Sequence, residues 1–396
     1  MRILFISFYF PPDLCAGSFR AGALVDALSE GLGGDVEIDV ITTLPNRYAS
    51  YAVEASKKEE HGSVAITRIA IPSHQSGMMD QSFAFAWFAL RTWKEMKNKK
   101  YDIVLATTSR LMSGFLAAVI SRRMNVPLYL DIRDIFTDTM EDILSGRLLS
   151  GVLPVFRLIE RFTVQKASRI NLVSEGFRSY FKEVDKDNKF VFFPNGIDEE
   201  FVAYDFHKQT RNSLPLIVYA GNVGEGQGLH EIIPHAAKHL ESEYRFLIVG
   251  DGGMRRELEK RLNEFGVSNV QLHDPVSRPR LLELYKEADY LFLHLNAHEA
   301  FHKVLPSKIF EYAATGKPIL AGVAGYPREF IEKHVKNAAV FDPCDSDGLV
   351  NAVRGLSPEI VNRDQFIEEF RRSTIMRKLA IDILSIAESG HLVTIH

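Results

Sequence analysis

Residues 305–320, LPSKIFEYAATGKPIL, gather groups suited to holding a phosphate. Pro306 fits the first turn of a helix, where its missing N–H leaves no bond unmade. Gly316, followed by Lys317 and Pro318, stops that helix before a strand begins at Ile319. The amides of Ser307, Lys308 and Ile309 would open the helix at the positive end of its dipole, with the Lys308 ammonium in the same turn. Glu311 shares the Lys308 face and can accept hydrogen bonds from ribose hydroxyls. A plain surface helix start with a Lys308–Glu311 ion pair accounts for the same residues.

A second candidate is YAGNVGEGQGLHEI, residues 219–232, in which a strand leads through glycines at 221, 224, 226 and 228 into a helix. Glycine lets backbone amides approach an anion with no Cβ in the way. Gly221 and Gly228 bound the candidate anion-holding loop, with an ordinary strand-to-helix turn as the alternative. The spacing is not the dinucleotide fingerprint. GDGG at 250–253 reads as a structural turn. Gly17 and Ser18 follow the first strand and would bring backbone close to the same ligand, unless they only form a tight turn. In LDIRDIF, Asp131, Arg133 and Asp134 close a further strand. The two acids have no companion carboxylates for a metal, so substrate-orienting or structural roles suit them better.

These residues need strands to aim them. Short apolar runs occur at 3–10, 36–42, 103–106, 128–132, 170–173 and 190–193, and again at 216–220, 245–249, 270–272, 290–293 and 319–321, with helical stretches between them. Strands without alternation are buried on both faces, as in a parallel sheet covered by helices. Residues 194–214 are polar and without periodicity, which predicts a linker between two tandem doubly wound α/β domains. The boundaries fall at 1–194 and 195–374, and the stretch 364–386 reads as a long amphipathic helix or helix pair whose end, about 375–396, crosses back to the first domain.

The 396 residues suit two domains, and 46% hydrophobic with 25% charged residues is a globular composition. A formal charge of -4 offers no global attraction for nucleic acid. Cys15 and Cys344 make no disulfide framework or metal spacing, which suits a reducing cytoplasm. No segment reaches the ~20 apolar residues that span a bilayer, so membrane contact is expected to be peripheral. Phe83, Phe85, Trp87, Phe88 and Trp93 beside Lys94, Lys97, Lys99 and Lys100 fit either an anionic membrane interface or a buried helix with a solvated lysine run.

PSKIFEYAATGKPIL, GNVGEGQGL, PNGID and VGDGGMRREL, in their order and spacing, resemble the retaining glycosyltransferase family numbered four, across nearly the whole chain. The branch with PSKIFEY is typified by bacterial O-antigen and capsule N-acetyl-fucosamine transferases. The resemblance implies the GT-B fold, two Rossmann-like domains facing a cleft. It also implies transfer of an N-acetylated hexose or deoxyhexose from a nucleotide sugar, UDP being favoured, to a polyprenyl-diphosphate-linked glycan, with no metal. The family's diphosphate-binding Arg and Lys correspond to Asn222 and Gln227. Its Glu-x7-Glu motif has Lys303 at the first position and Glu311, the ribose ligand, at the second; Arg133 stands where a donor-site His is usual. Lys308, Arg133 and Asp134 are the expected catalytic residues. A sugar-nucleotide epimerase and a non-catalytic partner subunit are the alternative readings.

Overall fold

The structure is a computed structural model, in which residues 1–13, 15–30, 36–45, 54–72, 78–108, 111–137, 147–186, 189–207 and 213–393 are described. The chain divides into two compact units, Met1–Asn195 with Ser373–His396, and Gly196–Arg372.

The strands of the first unit are β1 (Arg2–Ile6), β2 (Glu37–Thr43), β3 (Lys58–His61), β4 (Val64–Ile69), β5 (Ile103–Thr107), β6 (Leu128–Ile132), β7 (Arg169–Leu172) and β8 (Phe190–Phe192). They form one sheet in the order β3-β4-β2-β1-β5-β6-β7-β8. The β3–β4 pair is antiparallel and the other pairs are parallel. Every residue of β5 and β6 is buried, as unalternated apolar runs require. The β3–β4 hairpin was not legible as strand, because KEEH is charged and sits at a sheet edge where one face stays wet.

The second unit repeats the plan with β9 (Leu216–Ala220), β10 (Arg245–Val249), β11 (Val270–His273), β12 (Tyr290–His294), β13 (Ile319–Gly322) and β14 (Ala338–Phe341). The order is β11-β10-β9-β12-β13-β14, all parallel. Strand order reverses between β1 and β5 in one unit and between β9 and β12 in the other. Loops leaving such switch points diverge and leave a crevice at the carboxyl ends of the strands.

Two expectations need correction. The helix Ala16–Glu30 starts two residues before Ser18, so Gly17, expected in a loop, lies buried with Ser18 in the first turn of the helix. Residues 194–214 are not a featureless linker: they hold the helix Glu199–Ala203, and Ile197, Phe201 and Phe206 are buried. Residues 208–212 of that stretch lie outside the described residues.

The C-terminal stretch is a helix pair, Asp364–Phe370 and Arg372–Val393. Phe366 and Phe370 of the first pack on Phe310 and Phe330. The second belongs with the first unit from Ser373 onward. There Asp382 accepts a hydrogen bond from the Tyr129 hydroxyl at 2.7 Å and pairs with Arg169 at 3.4 Å.

Candidate functional site

Strand β9 ends at Gly221, whose φ of +148° disfavours any residue with a side chain. A Cβ there would lie 2.2 Å from Lys308 Cε and 2.3 Å from its Nζ. The neighbouring strand end is equally tight, since a Cβ on Gly250 would lie 1.8 Å from the Gly221 carbonyl oxygen. GDGG is therefore the structural turn expected, and the missing side chain at Gly221 makes the space that Lys308 fills.

The helix carrying Lys308 spans Lys308–Ala314 and follows Ser307, so Pro306 lies just outside it and not in its first turn. The Pro306 carbonyl accepts the Ile309 amide and the Ser307 carbonyl accepts the Phe310 amide, each at 3.2 Å. These tight i→i+3 bonds leave fewer of the opening amides for a ligand than a regular first turn would. Lys308 Nζ rests 5.2 Å from the centroid of the Tyr219 ring, a cation–π contact. Among the described residues its ammonium has no hydrogen bond and no ion pair. Burial draws its pKa below the ordinary lysine range, and the charge of Glu311 offsets this only in part.

Glu311 is not paired with Lys308. Its Oε1 accepts from Arg278 Nη1 at 3.0 Å, and the same guanidinium reaches Asp198 and Glu200, both at 2.5 Å. The Lys308 cation is thereby left without its sequence neighbour as counter-ion.

The glycine loop is largely satisfied from within. Gly221, Val223, Gly224, Gln227 and Gly228 all donate their amides to protein acceptors. Asn222 Nδ2 donates to Gln227 Oε1 at 2.7 Å, so these two residues close the loop on each other where the family's two cations would stand. Gly228, at φ +55°, starts the helix Leu229–His239 over His294 and Asn296. His294 Nδ1 donates to the Gln227 carbonyl at 2.6 Å and its Nε2 accepts the Cys344 amide at 2.8 Å. That pattern requires the neutral ring, and burial pushes the His294 pKa down to about 4. Lys303 ends the short helix Glu299–Lys303, half-buried, on the connection from β12 to Lys308.

In the first unit, Asp131 is buried and held by Arg20, with Nε to Oδ2 at 2.8 Å and Nη2 to Oδ1 at 2.9 Å. Asn171 donates to the same carboxylate at 2.6 Å. Burial pushes the Asp131 carboxyl up, but the Arg20 guanidinium outweighs it and the net direction is down. Asp131 is thus anchored inside the fold and not turned out toward an acceptor. Arg20 also donates to the carbonyls of Phe193 and Pro194, at 2.8 and 2.5 Å, and so fixes the end of the unit. Arg133 is half-buried, donating to Asn195 Oδ1 at 3.0 Å; Asp134 is exposed and accepts the Ile135 amide at 2.9 Å.

The second unit therefore brings Gly221, Lys308 and Glu311 to one set of strand ends, with Asn222, Gln227 and Gly228 on the adjoining loop. Gly17, Ser18, Arg133 and Asp134 stand in the first unit. Arg20, Tyr219, Arg278 and His294 were not singled out in the sequence. Each acts through a partner at least 33 residues away or through a ring face, neither of which local spacing reveals.

The family described as glycosyl transferases group 1 matches residues 203–372, and the glycosyl transferase 4-like domain matches residues 20–196. The chain is 26% identical over 384 residues to WcaI of Escherichia coli K12, assigned as a colanic acid biosynthesis glycosyl transferase, covering 89% of this chain and 91% of WcaI. It is 22% identical over 184 residues, 46% of each chain, to an N-acetyl-D-galactosaminyltransferase of Campylobacter jejuni named for an undecaprenol-linked glycan. In fold it is similar to Anabaena HepE, solved with UDP and glucose, at a TM-score of 0.61 and 17% identity over 100% of this chain and 99% of that one. Between them these two glycosyl transferase models take in most of both units, so the chain is a glycosyltransferase whose second unit is of group 1, and its two Rossmann-like α/β units have the GT-B fold.

Proposed function

We propose that this glycosyltransferase moves a sugar, an N-acetylated hexose or deoxyhexose, from UDP to a polyprenyl-diphosphate-linked glycan in surface-polysaccharide assembly, with retention of configuration. The observation that carries the reading is the Lys308 ammonium, set into the space left by Gly221 with no carboxylate on it. A partly desolvated cation held off any carboxylate attracts an anion strongly, and a diphosphate is the anion that suits it. The relatives named for colanic acid and for an undecaprenol-linked glycan support the acceptor class.

In the transition state the leaving nucleoside diphosphate gains charge while the anomeric carbon becomes electron-poor. A fixed cation aimed at the phosphate stabilises that charge without reorganising. Lys308 supplies it, and Glu311, whose second oxygen has no hydrogen bond among the described residues, receives the ribose hydroxyls. The departing phosphate takes the acceptor proton, so the reaction needs no dedicated base, and Lys308 supplies the positive charge that a metal would otherwise bring to the diphosphate. Arg133 and Asp134 remain candidates for the sugar and acceptor side. In a transfer assay Lys308→Ala lowers kcat by about 10²–10³. Wild-type turnover in that variant would remove Lys308 from the reaction.

The acceptor's lipid gives the first unit a surface to meet. Among the described residues no helix is long and apolar enough to cross a membrane. On the helix Met78–Glu95, Phe85 and Phe88 are core, packed on Phe8, while Phe83 and Leu90 are 63% and 70% exposed and Trp87 is partly so. Arg91 and Lys94 continue the exposed stripe, and Glu95 is paired with Lys58. This face lies on an anionic bilayer. The chain co-sediments with anionic vesicles at low salt, and Phe83→Ser with Leu90→Ser releases it; no sedimentation of the wild type would refute the contact.

A further inference from the structure

Arg278 opens the helix Arg278–Glu287, and its guanidinium is shared among three carboxylates from three places in the chain. Nη1 donates to Glu311 at 3.0 Å, Nη2 to Asp198 at 2.5 Å and Nε to Glu200 at 2.5 Å. The Phe201 ring lies against it, 4.8 Å from Cζ to ring centroid. Burial pulls the Arg278 pKa down, yet Glu311 and Asp198 outweigh it, so the group stays charged.

Asp198 is itself fixed from another side by Arg372. Next to it the backbone is tied, Ile197 donating to the Phe370 carbonyl at 2.7 Å and accepting the Arg372 amide at 2.8 Å. A planar fork gripped by three carboxylates and a ring face has a single orientation. Glu311 hangs from this fork by Oε1 alone, and among the described residues Oε2 carries no hydrogen bond. Fixing one oxygen of a carboxylate fixes the direction in which the other accepts.

We propose that Arg278 is the positioning residue of Glu311 and sets how well the enzyme reads the hydroxyls of the donor's ribose. The inference rests on the ribose role given to Glu311 above. Without the fork, Glu311, Asp198 and Glu200 repel one another and the Glu311 carboxylate turns away. A lysine supplies charge but a single point of contact, so it cannot hold three carboxylates in register.

The test is titration of the full chain with UDP and with 2′,3′-dideoxy-UDP, which lacks both hydroxyls. The wild type is expected to prefer UDP by about tenfold to a hundredfold, the range for hydrogen bonds to a charged group. Arg278→Met should bring the preference close to one by weakening UDP binding while leaving the dideoxy compound unchanged. Arg278→Lys should lose most of it too, and serves should the Met variant fail to fold. A folded Arg278 variant that keeps the full preference overturns the proposal while the ribose role of Glu311 stands. A wild type with no preference removes that role itself, and the proposal with it.

Discussion

Each unit ends its central strands beside a basic side chain, and the two are treated in opposite ways. Arg20 in the first unit is buried and donates to both oxygens of Asp131, with two backbone carbonyls taking two more of its N–H groups. Lys308 in the second is set against glycine and an aromatic ring, and its nearest acid is held by Arg278 instead. A charge whose partners are all internal stabilises the fold. One whose partner has been drawn off is held ready for something that arrives. A basic side chain near a strand end can therefore be structural or functional, and the counter-ion decides which.

The contrast is sharpest in stability. Arg20→Met strands the Asp131 carboxylate in the interior, and breaking a buried pair from one side costs about 3–5 kcal/mol. Denaturant melts of the variant would read this, and the double variant Arg20→Met/Asp131→Leu should recover much of the loss. An Arg20→Met protein as stable as the wild type would mean that the pair is not what holds the first unit's strand ends. Lys308→Met should behave the other way, changing stability by no more than about 1 kcal/mol, because it removes an unpartnered cation. A loss comparable to that of Arg20→Met would make Lys308 a structural residue and dissolve the comparison.

Between these lies a pH effect in the second unit. His294 is held neutral, its pKa brought from 6.5 to about 4 by burial. As pH falls from 6.5 toward 4 the unfolded chain takes up a proton that the folded chain refuses, so stability declines across that window and levels off below it. The shift corresponds to about 3 kcal/mol. Melts between pH 7 and pH 4 should show this slope, and His294→Asn should flatten its share; an unchanged slope would place the acid sensitivity elsewhere.

Much of the architecture could be read from the chain. The strands at Leu128–Ile132, Leu216–Ala220 and Arg245–Val249 fall where the apolar runs put them, because a strand buried on both faces shows as a short, mostly unbroken apolar stretch. The hairpin β3–β4 and the strand β14 escaped, the first charged on its outer strand and the second only partly buried. In the site, Gly221, Lys308 and Glu311 were legible because their elements declare themselves locally, through a strand end and a helix start. Arg278 and Arg20 were not, since their meaning is carried by Glu311 and Asp131, 33 and 111 positions away. Asn222 and Gln227 were visible as residues, but their mutual hydrogen bond was not, and it is the bond that shows the loop closing on itself.

The central claim is that the donor's diphosphate binds the Lys308 ammonium. A crystal structure of the chain with UDP tests it most directly. The account predicts a phosphate oxygen within hydrogen-bonding distance of Lys308 Nζ, with the ribose beside Glu311. Phosphates bound away from Lys308, with its ammonium still resting on Tyr219 and nothing opposite, would contradict it.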